Sequence, residues 1–323
     1  AVGRPLAFFI GSSEKLRITS TGKVLIGHDT PTEIGVGAGY QMPLQVIGTS
    51  YDTSGMVLAR YQDNDGGPTL AFVKSRNATK GAQTIVQAND TLGMIRFLGS
   101  DGTDTQNAAA RIRAFCDGTP ASNKIPGRIT FETTDTLTYA RERMRIDSSG
   151  RVVIGRTASR MVGGSTTYAK LQVAGTSQSE SSISLVNNEA DTKGPFVFFG
   201  KTRGSSVGTS TIVQNGDTLG GLSFIGADGN DTNNRTAEIT AVVNGGPGNN
   251  TIPTDLTFST STQNASQMAE RMRIYSSGRI LIGNGVSEQS PSGNLDIVGD
   301  TNSNGPELYL RVSNNNTTDN IGA

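Results

Sequence analysis

The sequence predicts an all-β chain made of tandem repeat units of short strands and hairpins. Three observations carry that expectation. One segment recurs three times at a single spacing, apolar and polar residues alternate with period two in short runs, and Asp-Gly, Asn-Asp and Gly-Pro pairs punctuate those runs. No stretch of more than three turns has helical periodicity.

The recurring motif occupies residues 14–27, 142–155 and 270–283. Its middle copy reads Glu-Arg-Met-Arg-Ile-Asp-Ser-Ser-Gly-Arg-Val-Val-Ile-Gly, and Glu14, Glu142 and Glu270 stand 128 residues apart. The residues between motif copies align too. Leu44-Gln-Val returns as Leu171-Gln-Val, Asp90-Thr-Leu-Gly as Asp217-Thr-Leu-Gly, and Ile125-Pro as Ile252-Pro, each 127 residues on. The offset changes after Phe131 and Phe258, where one residue enters a polar loop. Residues 1–43 therefore hold the end of a preceding unit, the first motif copy and a linker. The first full unit is 44–170, the second is 171–294, and 295–323 begin a third. Leu6 to Ile10 read as the last interior strand of the preceding unit, and the chain reads as a piece of a longer polypeptide.

Each motif copy reads as a β-hairpin. Charged and apolar residues alternate through Arg143, Met144, Arg145 and Ile146, so one face of that strand is buried. Ser148-Ser149-Gly150 supplies the turn, with glycine free to take positive φ. The return strand Val152, Val153, Ile154 is apolar on both faces, which asks for cover on both sides. Further strands are expected at residues 70–73, 93–98, 110–115 and 128–131.

Composition limits the function classes. The 28 Lys and Arg balance 28 Asp and Glu, so no net charge favours nucleic acid or an anionic membrane surface. No run approaches the roughly 20 apolar residues of a membrane span, and no signal peptide is visible. Apolar classes make up 34% with no Trp, against 41 Gly, which is too little bulk for two generous single-chain cores. Chains of this kind gain buried area by associating with copies of themselves.

The residues offer no catalytic, cofactor or metal site. His28 is the only histidine and its counterparts are Arg156 and Asn284, which argues against a Ser-His-Asp or His-metal constellation and for a solvated loop residue. A glycosidase would need only paired carboxylates. The acid common to all motif copies, Glu14, Glu142 and Glu270, sits beside Lys15, Arg143 and Arg271 and reads as an ion pair; Glu132 becomes Ser259 in the second unit. Asp63-Asn-Asp-Gly, Asp101-Gly-Thr-Asp and Asp228-Gly-Asn-Asp have calcium-loop chemistry but no EF-hand spacing, and read as turns. Gly163-Gly164 and Gly245-Gly246 lack a following Gly-Lys-Ser/Thr and read as flexible connectors. Cys116, replaced by Val243, reads as a small half-buried apolar residue.

The motif is similar to a segment that recurs in tail fibres and other host-recognition proteins of tailed bacteriophages, particularly marine and cyanobacterial ones. There it often precedes a self-cleaving intramolecular chaperone domain. The interior, with Asn89-Asp-Thr-Leu-Gly-Met-Ile-Arg-Phe and Ile125-Pro-Gly-Arg-Ile-Thr-Phe, resembles the module between such segments. The resemblance implies an elongated homotrimeric fibre on the virion tail, in contact with other tail proteins and with a host-surface glycan or protein. No chaperone domain is read here, so self-cleavage is not expected of this segment, and these units read as shaft. A tailspike depolymerase and a cellular surface adhesin or filament subunit are the rival readings. Residues 49–66 and 176–193 differ between units in nearly every side chain, with Tyr51, Tyr61 and Asp63 in one and Ser179, Glu180 and Asn188 in the other. They are where recognition would lie, or else drifting surface linkers.

Overall fold

The computed structural model describes residues 3–35, 40–136, 139–164, 166–262, 268–283 and 295–298. Among them the secondary structure is strands and turns, with a single 3-10 turn at Tyr51–Thr53. The chain divides into two compact units. One comprises Ala1–Ser159 with Ala169–Ile183, and the other Arg160–Tyr168 with Ser184–Ala323.

The first unit holds two sheets. One has the order β1 (Leu6–Ile10), β2 (Ser13–Ile18), β3 (Val24–Ile26), β4 (Leu44–Val46). The other runs β5 (Thr91–Leu98), β6 (Ala108–Cys116), β7 (Gly127–Thr133), β8 (Arg141–Ile146), β9 (Val152–Ile154), β10 (Leu171–Val173) from edge to edge. The second unit holds a sheet of the same order, β11 (Thr218–Ile225), β12 (Arg235–Val243), β13 (Thr254–Thr260), β14 (Ala269–Ile274), β15 (Ile280–Gly283), β16 (Leu295–Val298). The rest of the third unit expected from residue 295, residues 299–323, lies outside the described residues.

Neighbours are antiparallel except the last pair of each sheet, where β4, β10 and β16 lie parallel to β3, β9 and β15. A parallel neighbour needs a long return, and the linker after each motif copy supplies it. The hairpin itself forms as its residues suggest. Gly150 stands at φ +70 and donates to the Asp147 carbonyl, and the Asp147 carboxylate accepts from the Ser149 and Arg151 amides. The strand beginning at Leu6 is present as β1, paired with β2 through a bulge at Phe8/Phe9 like that at Phe131/Glu132.

Register assigns the faces. Across β7, β8 and β9, Ile129, Ile146 and Val152 form one row, and Phe131, Met144 and Ile154 lie two residues away on the same side. Thr130, Arg145 and Val153 fill the row between, on the opposite face. The sheet thus has an apolar side and a polar side.

The chain buries little of the apolar side. Among the described residues the buried apolar set is eight, including Leu25, Val153 and Leu281, the central residues of the three return strands. These three lie on the polar face. Beside Leu25 the linker is tied down by the buried Gln45, which accepts from the Thr32 amide and donates to the Thr32 carbonyl at 3.0 and 2.8 Å. Burial of one such leucine contributes about 2 kcal/mol. The return strand is therefore covered within the chain on one side only, since Val152 and Ile154 stay half-exposed.

Three further expectations need correction. Residues 70–73 form no strand, because no backbone among the described residues pairs with them. Cys116 is fully buried rather than half-buried, at the end of β6. Gly163 is no loose connector: it is buried, and its amide donates to the Thr232 carbonyl at 3.1 Å.

Candidate functional site

The polar face explains the charges of the motif. Glu142 pairs with Arg145 and not with the adjacent Arg143, and in the other copies Glu14 pairs with Arg17 and Glu270 with Arg273. The reason is the bulge. Phe131 pairs with Met144 and Glu132 with Glu142, so Arg143 is the extra residue and Glu142 is carried to the face of Arg145. Arg143 turns instead to Thr133 and Asp135. The expected pairing with the adjacent cation fails because neighbours along a strand point to opposite faces, whereas the bulge, which the sequence does not mark, brings Glu142 and Arg145 to the same one.

Beside the hairpin turn the two units solve one problem with exchanged residues. In the first, the Asp117 carboxylate accepts from the Ser148 turn amide at 2.9 Å and from Arg128 at 2.9 Å. In the second, Asn244 stands in place of Asp117 and Asp255 in place of Arg128. Asp255, fully buried, accepts from the equivalent Ser276 amide at 2.9 Å, from Asn244 at 2.6 Å and from Arg273 at 2.8 Å. A carboxylate reaches the turn amide in both units, from opposite strands. Burial acts to raise the Asp117 carboxyl, but the Ser148 amide and Arg128 together outweigh it and hold it below its ordinary value.

The candidate acids are neutralised where they stand. Glu132 is buried between Arg111 and Arg113 at 3.1 and 3.3 Å. Phe115 carries the guanidiniums of Arg113 and Arg128, each 4.4 Å from the ring centre. This cluster escaped the reading of the sequence, although the alternation Arg111, Arg113, Phe115 marks one face of β6. In the second unit its places are taken by Glu238, Thr240 and Val242. The Asp101 carboxylate accepts from the Asp104 and Thr103 amides, and Asp228 from Asp231 and Asn230, so both loops are turns closed on their own backbone. His28 is half-buried, with Nδ1 2.8 Å from the Thr30 carbonyl oxygen. Arg76 and Asp90, and equally Arg203 and Asp217, form bidentate pairs at 2.6–2.7 Å that close the loops ahead of β5 and β11. Arg203, then the Gln214 amide, hold Asp217 down to about 2, and Arg76 with the Gln87 amide depress Asp90 likewise.

The apolar face is where the chain leaves work undone. Ile95, Phe97, Ile129 and Ile146 are exposed on the first unit's sheet, and Leu222, Phe224, Leu256 and Ile282 on the second's. Each sheet carries an open apolar cleft at the same place, about 360 Å³ over Ile95, Ile112 and Ile129 and about 420 Å³ over Leu222, Ile239 and Leu256. One wall is an aromatic ring laid on a glycine. A Cβ on Gly93 would come within 2.6 Å of the Phe72 Cβ, and one on Gly220 would collide in the same way with Phe199.

The segments ahead of these loops are also unpartnered. Residues 56–61, 69–73, 183–187 and 196–200 make no backbone–backbone hydrogen bond with any described residue. They nevertheless carry Met56, Leu58, Leu70, Ile183, Leu185 and Phe198 largely in the open. Of the side chains expected in the variable loops, Tyr51 and Tyr61 are almost fully exposed, and Glu180 is bound back to Thr176 at 2.7 Å.

No family model and no curated relative matches the sequence. Solved structures do. The chain is similar to the carboxy-terminal domain of the bacteriophage T5 L-shaped tail fibre, with a TM-score of 0.58 and 12% identity over 81% of this chain and 100% of that one. It is also similar to that domain carrying its intramolecular chaperone domain, with a TM-score of 0.60 and 12% identity over 82% of this chain and 69% of that one. This chain, which clamps its polar residues in ion pairs and leaves its apolar faces open, thus has the fold of a bacteriophage tail-fibre domain.

Proposed function

We propose that this chain is a shaft segment of a phage tail fibre, assembled as a homotrimer on the virion and serving host-cell attachment. The observation that carries the reading is the uncovered apolar face recurring on both six-stranded sheets of a chain with a tail-fibre fold. Apolar faces of this extent mark assembly surfaces. In this reading the units 44–170 and 171–294, each ending in its hairpin motif and linker, set the length. Other tail proteins continue the fibre, and a host-surface glycan or protein is met by the exposed loops or by a tip elsewhere. Three chains bring three copies of every weak site, which raises avidity without new contacts. No part of the reading requires a cofactor, metal, nucleic acid or membrane insertion. Catalysis has nothing to support it, since Glu132 and Glu142 are each held by arginine.

Native mass spectrometry tests assembly: the expected species is a trimer, and a stable folded monomer at micromolar concentration overturns the reading. Incubation with host envelope polysaccharide, with reducing ends measured, tests catalysis. No release of oligosaccharide is expected, and release abolished by Glu132→Gln would make the chain a depolymerase.

A further inference from the structure

We propose that the runs 56–61 and 69–73, and their counterparts 183–187 and 196–200, are strands of an inter-chain sheet, the first run of one copy pairing with the second run of the next. The inference deepens the trimeric reading and rests on it. Four observations support it. First, each run lies outside the strands, turns and bends of its own chain, is apolar at successive or alternate positions, and is without backbone partners among the described residues. Water can satisfy such a backbone, but exposure of Met56, Leu58, Leu70 and Ile183, Leu185, Phe198 along with it has no compensation in one chain. Second, only the turn-forming residues 62–68, with Asn64 closing on the Gly66 amide, separate the runs, so a hairpin is within reach and is not formed. Third, the arrangement recurs in both units although residues 49–66 and 176–193 share few side chains. What the copies share at 56 and 58 is apolar character, as Met56 and Leu58 become Ile183 and Leu185. Fourth, Phe72 and Phe199 anchor the second run of each pair over Gly93 and Gly220, beside the open cleft of their own sheet. That anchoring leaves the outer edge of the second run free to receive a neighbour.

The occupant is a second copy of this chain, because the missing partner must supply a complementary run at the same place in both units. Pairing of first run to second run is heterologous, so it propagates from copy to copy and closes after three in a trimer.

The test is disulfide trapping in full-length chain carrying Cys116→Val, a change the second unit already contains as Val243. Cysteines are placed pairwise, one at Val57, Leu58 or Ala59 and one at Leu70, Ala71 or Phe72, and oxidised. The expected result is a covalent trimer as the dominant species for at least one pair, with single-cysteine controls remaining monomeric on denaturing gels. Hydrogen exchange on the unmodified chain should show amides of 56–61 and 69–73 at least about tenfold slower than those of the exposed loop 99–107. A native trimer in which every pair closes only within one chain, or none closes and these amides exchange freely, overturns the strand exchange and leaves trimerisation standing. A native monomer overturns both.

Discussion

Asp117→Asn combined with Arg128→Asp converts the turn support of the first unit into that of the second, and the two changes should compensate. Asp117→Asn alone replaces a charge-assisted bond to the Ser148 amide with a neutral one and leaves Arg128, with only 11% of its side chain exposed, facing no carboxylate. That loss is about 1.5 kcal/mol. Arg128→Asp alone sets a second carboxylate against Asp117 and removes the guanidinium from the Phe115 ring, at about 2.5 kcal/mol. In the double variant the new carboxylate at position 128 meets the same turn amide, an amide side chain at position 117, and Arg145. That arginine is the counterpart of Arg273, which meets Asp255 at 2.8 Å. Only the contact with Phe115 stays lost, because the second unit has Val242 there. The double should therefore fall about 1 kcal/mol below the parent against an additive sum of about 4, a coupling near 3 kcal/mol. Hydrogen exchange of the motif peptide 141–155 reads this locally, with 269–283 in the same molecule as reference. Since about 1.4 kcal/mol is a factor of ten, the singles should speed exchange by roughly 10- and 70-fold and the double by about fivefold. Exchange in the double as fast as the product of the singles would refute the equivalence of the two arrangements.

Met144→Asp with Ile146→Asp places two charges on the apolar face of β8 and should abolish the trimer in native mass spectrometry while the second unit keeps its strand signature. Gly93→Val should destabilise the chain by about 1–3 kcal/mol through collision with the Phe72 Cβ and ring, and adding Phe72→Gly, which removes that Cβ, should restore more of the thermal midpoint than Phe72→Ala, which keeps it. The Asp217 carboxyl is depressed in the folded chain, so its pairing with Arg203 contributes fully above the ordinary carboxylate range near pH 4 and is lost as pH falls through about 2. Proteolysis of loop 203–217 by an acid protease should accordingly rise between pH 4 and 2. In Asp217→Asn it should be high at pH 4 already.

Much of this architecture is a local property of the chain. The recurring motif writes its own hairpin, with Gly150 at positive φ and Asp147 bonding the turn, because period-two alternation and turn chemistry act over a few residues. Repetition then carries the same decision to every unit, down to strand β1 before the first motif copy. Face-specific detail needed the tertiary structure. A bulge opposite Glu132 reverses the parity of Glu142, and nothing in the residues Arg143 and Met144 announces it. The exchange of Asp117 and Arg128 for Asn244 and Asp255 reads as drift along the sequence, and only the cross-strand distance to Ser148 and Ser276 shows one carboxylate performing one task. Residues 70–73 have the composition of a strand, but a strand is defined by its partner's hydrogen bonds, and none of the described residues supplies them. Alternation along a strand says which side chains want cover; which surface covers them is decided by residues distant in sequence, or by another molecule.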